Sequence, residues 1–261
     1  MARRTTGTGG RRLWAFDFDG TLAPIVSDPQ DAAIRTRTAT LLRQVAEVYP
    51  VAIISGRALA DVTPRLMDIP IQVIIGNHGI EPSPQMESAA ALVRQWMPKI
   101  IAAAAGLPGV LVEDKRHSVS IHYRQAPDPQ VVRDVLLKSL TQLGPEAEAA
   151  DGKYVINVVP HDAPDKGDAL VRLCREQIAE YAVFVGDDVT DEDAFARTGH
   201  CRVIGIRVGR AATSRAQYYV RSQDEMDVLL ELLVTLRRDG GGYQMSPTVN
   251  PSGKGSLVSS T

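Results

Sequence analysis

Cysteine is scarce. The 261 residues hold two, Cys174 and Cys201, too few for a disulfide framework and with no CxxC pair. Both sit in apolar surroundings, so two reduced thiols are expected. There is no excess of positive charge either: 29 Lys and Arg against 31 Asp and Glu leave a net charge of -2. A protein that tracks phosphates along a nucleic acid carries the opposite balance, and nucleic acid is not expected as a main partner. No apolar run approaches the roughly 20 residues that span a bilayer. The run at 13–18 is short and is interrupted by Asp17, and the basic stretch at 1–12 has no apolar segment behind it. Neither a signal peptide nor a membrane anchor is expected, and the location is expected to be cytoplasmic. No internal repeat is present.

Against those absences stands an ordinary globular composition, 44% hydrophobic and 23% charged. Short apolar runs at 13–18, 51–54 and 71–75 alternate with helical patterns at 36–48 and 59–67, the rhythm of a parallel sheet flanked by helices. The rhythm then changes. A helix is expected over 86–105 and strands over 110–114 and 118–123. Val131, Val132, Val135, Leu136, Leu140 and Leu143 mark an amphipathic helix, and a further strand covers 154–159. The first rhythm resumes at Asp165, with a helix over 167–179, a strand over 182–185, a helix from about 191, a strand over 202–208 and a helix over 225–238. The expected fold is α/β: a parallel-sheet core over 12–84 plus 160–239, interrupted by an α+β cap with an open sheet at 85–159. Residues 1–11 and the Gly-, Ser- and Pro-rich 240–261 are expected to be disordered.

Ligands of open α/β sheets bind at the carboxyl ends of strands. Three such ends here carry polar residues: Asp17-Phe18-Asp19-Gly20-Thr21, Ser55-Gly56-Arg57 and Gly186-Asp187-Asp188. A fourth group, Asp165-Lys166-Gly167, opens a helix. Asp17-Phe18-Asp19-Gly20-Thr21-Leu22 resembles the first motif of the haloacid dehalogenase superfamily. Ser55, Lys166 and Gly186-Asp187-Asp188-Val189-Thr190-Asp191 match its other three motifs in order. The resemblance spans the core and implies a Rossmann-like fold in which Asp17 is a carboxylate nucleophile.

Phosphate monoesters demand such a set. Their hydrolysis in water is so slow that an enzyme must lower the barrier by on the order of 20 kcal/mol or more. A carboxylate nucleophile splits the reaction into two easier steps. Asp19 fits the acid–base role, giving a proton to the leaving oxygen and later taking one from water. Mg²⁺ held by Asp17, Asp187 and the backbone carbonyl of Asp19 would let two anions meet. Lys166 adds a positive charge and Ser55 a hydroxyl donor to a phosphoryl oxygen. Gly20 and Gly56 let backbone N–H groups close on the phosphate. Other positions keep two readings. Asp188 is a second metal-site acid or an acid that orients the site. Asp191 bonds to the site or caps the next helix, the cap being preferred. Arg57 binds ligand or makes a structural ion pair, the ion pair being preferred.

The cap and its flanks resemble trehalose-6-phosphate phosphatases. Gly76-Asn77-His78-Gly79-Ile80-Glu81 is similar to that family's GxHGxE segment. Glu113-Asp114-Lys115 through Ser118-Val119-Ser120-Ile121-His122-Tyr123-Arg124 resembles ExKxxSxxxHYR, and Gly152-Lys153-Tyr154-Val155 with Pro160 resembles GKxVxExxP. The resemblance implies a small soluble sugar phosphate as substrate and places His78, Glu113, Lys115, His122, Arg124 and Asn157 among its contacts. Glu113 and Lys115 share one side of a strand, as do His122 and Arg124 on the next. Two positions depart from the family. Asn157 stands where a sugar-binding Glu is usual, and Asp165 where Asn is usual. The expected reaction is hydrolysis of trehalose 6-phosphate to trehalose and phosphate. The alternatives are a capped phosphatase for another sugar phosphate or a glycosyl acid phosphate, a phosphomutase, or a non-catalytic sugar-phosphate sensor or partner subunit of the synthase. A monomer is the default expectation, and hinges are expected near 81–84 and 159–164.

Overall fold

The computed structural model describes residues 12–66 and 68–238 together with the backbone of 255–256. The expected terminal segments, apart from that dipeptide, lie outside the described residues.

Strand β1 (Arg12–Phe16) shows why the core has two faces. Successive side chains alternate sides along a strand. Trp14 and Phe16 enter one apolar cluster while Leu13 and Ala15 enter another. The same division runs through β2 (Val51–Ile54) and β8 (Tyr181–Gly186). A strand buried on both sides must be covered on both sides, as in parallel sheets with helical crossovers. α1 (Thr36–Val48) and α7 (Met226–Arg238) cover the first face through Leu42, Val45, Leu229, Leu230 and Leu233. α5 (Lys166–Gln177) and α6 (Glu192–Ala196) cover the second through Ala169, Leu170, Leu173 and Phe195.

The core sheet is parallel throughout, in the order β11-β10-β9-β8-β1-β2-β3. Its remaining strands are β3 (Val73–Ile75), β9 (Arg202–Val208), β10 (Tyr218–Val220) and β11 (Gly255–Ser256). The helix expected over 59–67 is shorter: α2 (Leu59–Val62) passes into a 3-10 turn over Thr63–Leu66. Pro64 lies at that change and removes a backbone donor.

The cap is an antiparallel sheet in the order β4-β5-β7-β6. It contains β4 (Leu111–Asp114), β5 (Val119–His122), β6 (Ala147–Gly152) and β7 (Val155–Pro160). α3 (Met86–Ala104) and α4 (Pro129–Leu140) pack on one face, where Val93, Trp96, Leu136, Ile121, Ile156 and Val158 form the cap core. The period of two then puts Glu113, Ser120, His122, Val155 and Asn157 on the other face. Glu113 pairs with Ser120 and Ser120 with Asn157 across the register. β6 and β10 have no strong apolar alternation and were not expected. Ala147-Glu148-Ala149-Ala150 is a poor strand former that pairing with β7 overrides.

The two cysteines correct an expectation. Cys174, in the last turn of α5, and Cys201, just before β9, form a disulfide with Cα atoms 6.2 Å apart. They lie 27 positions apart, and only the packing of α5 against this side of the sheet brings them together. The two reduced thiols that the sequence led us to expect are therefore not present. Among the described residues, no helix is long and apolar enough to cross a membrane.

Candidate active site

Four adjacent strands deliver the site. In sheet order, β8, β1, β2 and β3 end at Asp187, Asp17, Ser55 and the turn containing His78. Asp17 is held at the strand tip by its N–H, which donates to Val185 O at 2.8 Å. Lys166 arrives from the second face as the first residue of α5. Asp165 caps that helix, accepting from the Asp168 N–H at 2.8 Å in a capping box.

Burial and charge collide at this point. Asp17, Lys166 and Asp191 are 4%, 2% and 0% exposed. Lys166 Nζ donates to Asp17 Oδ1 at 2.9 Å and to Asp191 Oδ1 at 2.7 Å. Burial pushes the Asp17 carboxyl well above the ordinary range, with Asp191 and Asp187 adding to the shift and Lys166 opposing it. Burial alone would lower Lys166, but Asp17 and Asp191 outweigh it and hold the ammonium above the usual lysine range. Burial, then Asp191 and Asp188, push Asp187 up to about 8.

Oxygens of Asp17, Asp187 and Asp191 lie within 4.8 Å of one another. With all three carboxylates ionised and one ammonium beside them, the site carries two negative charges, and this repulsion adds to burial in raising Asp17 and Asp187. Asp187 Oδ1 is also buried without a hydrogen-bond partner. Hard oxygen donors, an orphaned acceptor and a local charge of minus two fit a divalent cation. Gly20 makes room for the arrangement. It has φ +77, and a Cβ there would lie 2.1 Å from Asp187 Oδ2.

The other core residues take distinct places. Asp19 turns its carboxylate away from the acidic cluster into a two-pronged pair with Arg57: Nε to Oδ2 and Nη2 to Oδ1, both 2.7 Å. Arg57 also donates to Asp61 at 2.7 Å and to Pro29 O at 2.8 Å. The preferred ion pair is therefore present, and it fixes the proposed acid–base residue. Ser55 is fully buried, and its Oγ accepts the Arg57 N–H at 3.1 Å. Asp188 lies outside the three-carboxylate cluster and caps the 3-10 turn Val189–Asp191. Asp191 takes the first of its two readings: one oxygen holds Lys166 and the other accepts the Asp188 N–H at 2.9 Å within the preceding turn. The preferred cap of the next helix is not made, since Asp191 stands at the start of α6 without a side-chain bond to it.

Above these groups the polar face of the cap sheet closes a cleft of about 480 Å³. His78, Glu113, Lys115, Ser120, His122, Arg124 and Asn157 all line it. Lys115 crosses from cap to core, donating from Nζ to Gly56 O at 2.9 Å, and lies 3.9 Å from Glu113. Burial is the main cause that lowers its pKa. His122 Nε2 is 2.8 Å from Glu113 Oε2. The ring of His78 packs on Gly56, where a Cβ would come within 2.5 Å of it, and meets the Asn157 side chain. Burial, aided by Lys115 and Lys166 and opposed by Asn157, holds His78 well below the ordinary value, which favours the neutral ring.

Residues 15–224 match the family described as Trehalose-phosphatase. The chain belongs to the trehalose-phosphatase family. It is 37% identical over 198 residues to a trehalose-phosphate phosphatase of Mycobacterium ulcerans, a match covering 70% of this chain and 50% of that protein. It is 36% identical over 206 residues to an uncharacterized glycosyl hydrolase of Mycobacterium tuberculosis, covering 72% of this chain and 15% of the relative. The chain thus spans half or less of these relatives' length. In fold it matches the C-terminal domain of C. albicans trehalose-6-phosphate phosphatase, with a TM-score of 0.68 at 24% identity, covering 87% of this chain and 93% of that one.

Family membership sharpens the two departures. Asp165 serves as the N-cap, a role Asn fills equally well. At Asn157 the change is chemical. Ser120 Oγ donates to Asn157 Oδ1 at 2.6 Å, which leaves an amide donor facing the cleft where a Glu would present only acceptors. Ser120 itself was not singled out from sequence, although it sits two residues before His122 on the same face. Arg207 was missed as well. From β9 it donates to Asp188 O at 3.2 Å and to Asp187 O, and it pairs with Glu192 at 2.8 Å. It braces the acidic loop from a position that no motif marks.

Proposed function

We propose that the protein hydrolyses a disaccharide phosphate, trehalose 6-phosphate first among candidates, through an aspartyl-phosphate on Asp17. The observation that carries this reading is the buried Lys166–Asp17–Asp191 cluster beside the unpartnered Asp187 Oδ1, at the foot of a cleft roofed by polar cap residues. Asp17 attacks phosphorus and the sugar oxygen leaves with a proton from Asp19. Water then attacks the phosphoryl group, gives its proton to Asp19 and frees Asp17. Lys166 orients Asp17 and opposes the burial that raises its pKa. Ser55 and the backbone at Gly56 serve the phosphoryl oxygens, the Gly20 N–H being already bonded to Ala23 O at 2.7 Å. When bound by Asp17 and Asp187 with Asp191 beside them, Mg²⁺ or a similar hard cation neutralises the charge that gathers as the two anions meet. The cap row of Glu113, Lys115 and Asn157, with neutral His78, binds hydroxyls.

Asn157 favours a second reading, the same chemistry on the phosphate of a different sugar. Phosphate release with Mg²⁺ over trehalose 6-phosphate, sucrose 6-phosphate, glucose 6-phosphate and p-nitrophenyl phosphate separates the two. Trehalose 6-phosphate should give the highest kcat/KM. A clear preference for another ester would move the assignment to it, and no release from any would end the reading.

A further inference from the structure

The hairpin between β6 and β7 turns on Lys153 and Tyr154, between the paired Gly152 and Val155. Tyr154 has φ +64, a left-handed conformation that glycine adopts freely and a bulky side chain at a cost. The cost is not recovered by burial, since Tyr154 is 45% exposed. The ring is nevertheless fixed. The Arg124 guanidinium lies 5.5 Å from its centroid and donates to Lys153 O at 3.3 Å, while Tyr123 meets the ring edge-on at 6.2 Å. Tyr154, Arg124 and Leu111 line the same cleft as Asp17, with Ile25 and Pro29 of the core also in its wall. Leu111 and Ile25 are exposed, so this is the open end of the cleft, and buried Asp17 is the closed end.

We propose that Tyr154 is a stacking platform for the second ring of a disaccharide phosphate. This rests on the sugar-phosphatase reading above. With phosphate at Asp17, the phosphorylated ring meets the polar row of Glu113, Ser120 and Asn157. A ring attached through a glycosidic bond then extends toward the open end. Hexoses present a face of C–H groups, and the face of the Tyr154 ring opposite the Arg124 guanidinium complements it. Arg124 holds the tyrosine ring in place and offers donors to hydroxyls.

The test compares wild type, Tyr154→Gly and Tyr154→Phe on trehalose 6-phosphate, sucrose 6-phosphate and glucose 6-phosphate, with thermal unfolding of each protein. Tyr154→Gly should lose about tenfold in kcat/KM for the preferred disaccharide phosphate, mainly through KM, and stay within about twofold on glucose 6-phosphate. Its melting temperature should be unchanged or higher, because glycine relieves the left-handed strain, so the loss cannot come from unfolding. Tyr154→Phe keeps the ring and should keep the activity. Equal losses on both substrate types, or none, overturn the platform. A wild type that turns over glucose 6-phosphate as well as any disaccharide ester overturns it too, while leaving the phosphatase reading intact. A wild type that releases phosphate from no sugar phosphate overturns both.

Discussion

Lys166 compensates two buried carboxylates at once, and little else nearby does. Lys166→Ala should therefore leave Asp17 and Asp191 uncompensated and cost about 3–5 kcal/mol of metal-free stability by urea unfolding, together with most of the activity. An unchanged urea midpoint would contradict the charge balance described here. The raised acids also fix a pH dependence. Asp187 binds its proton more tightly folded (about 8) than unfolded (3.8), and Asp17 shifts the same way. Their contribution to stability is thus fully present below the unfolded value and is lost as pH rises toward 8. Without divalent cation, the melting temperature should fall between pH 5 and pH 8 through these groups. Added Mg²⁺ should raise it more at pH 8 than at pH 5, because cation and proton compete for the same oxygens. A Mg²⁺ effect that shrinks as pH rises would contradict the acidic cluster as the cation site. At this scale Asp17, Asp19 and Lys166 were legible as candidates, because each stands in a short contiguous motif. The joint role of Asp191 and the bracing by Arg207 were not, since they depend on a tertiary approach that spacing does not encode.

Between elements, the seam of cap and core turns on Glu81. Its Oε2 accepts the Leu59 N–H at the start of α2 at 2.6 Å, and its Oε1 lies 2.6 Å from Nδ1 of the buried cap residue His117. Asn77 adds a buried donor to Lys115 O at 3.1 Å and accepts from Ser118. Glu81→Ala should cost about 2–4 kcal/mol, since it strands a helix-end donor and a buried imidazole together. Chemical denaturation measures this, and a change below about 0.5 kcal/mol would show that Glu81 carries no load at the seam. Lys115→Ala should lower kcat/KM for trehalose 6-phosphate by roughly tenfold to a hundredfold and leave p-nitrophenyl phosphate, which is too small to reach the cap, nearly unchanged. Equal loss on both would assign Lys115 to closing the cap on Gly56 rather than to the sugar. Most elements were readable because buried parallel strands are continuous apolar runs, as in Val51-Ala52-Ile53-Ile54. β6 was hidden because alanine and glutamate favour helices, and β10 because three residues leave no period to read.

On the scale of the whole molecule, the division into core and inserted cap followed from a change in rhythm near residue 85, and the described strands fall into one sheet of seven and one of four. The disulfide did not follow, since two cysteines far apart in sequence say nothing of their distance in space. Cys174–Cys201 closes a loop of 27 positions that contains Asp187, Asp188 and Asp191. In the chain-entropy account such a loop stabilises by about 3–4 kcal/mol. Dithiothreitol, or Cys174→Ser with Cys201→Ser, should lower the urea midpoint accordingly, and an unchanged midpoint would mean the thiols are not paired in solution.

The central claim is that phosphate leaves the sugar by way of Asp17. The most direct measurement is the rate of phosphate release from trehalose 6-phosphate in Mg²⁺ by wild type and by Asp17→Asn, with circular dichroism melts to show that both are folded. The substitution keeps the shape and removes the nucleophile, so the rate should fall by several factors of ten while the melting temperature holds or rises. A folded Asp17→Asn protein that kept more than about a hundredth of the wild-type rate would contradict the claim.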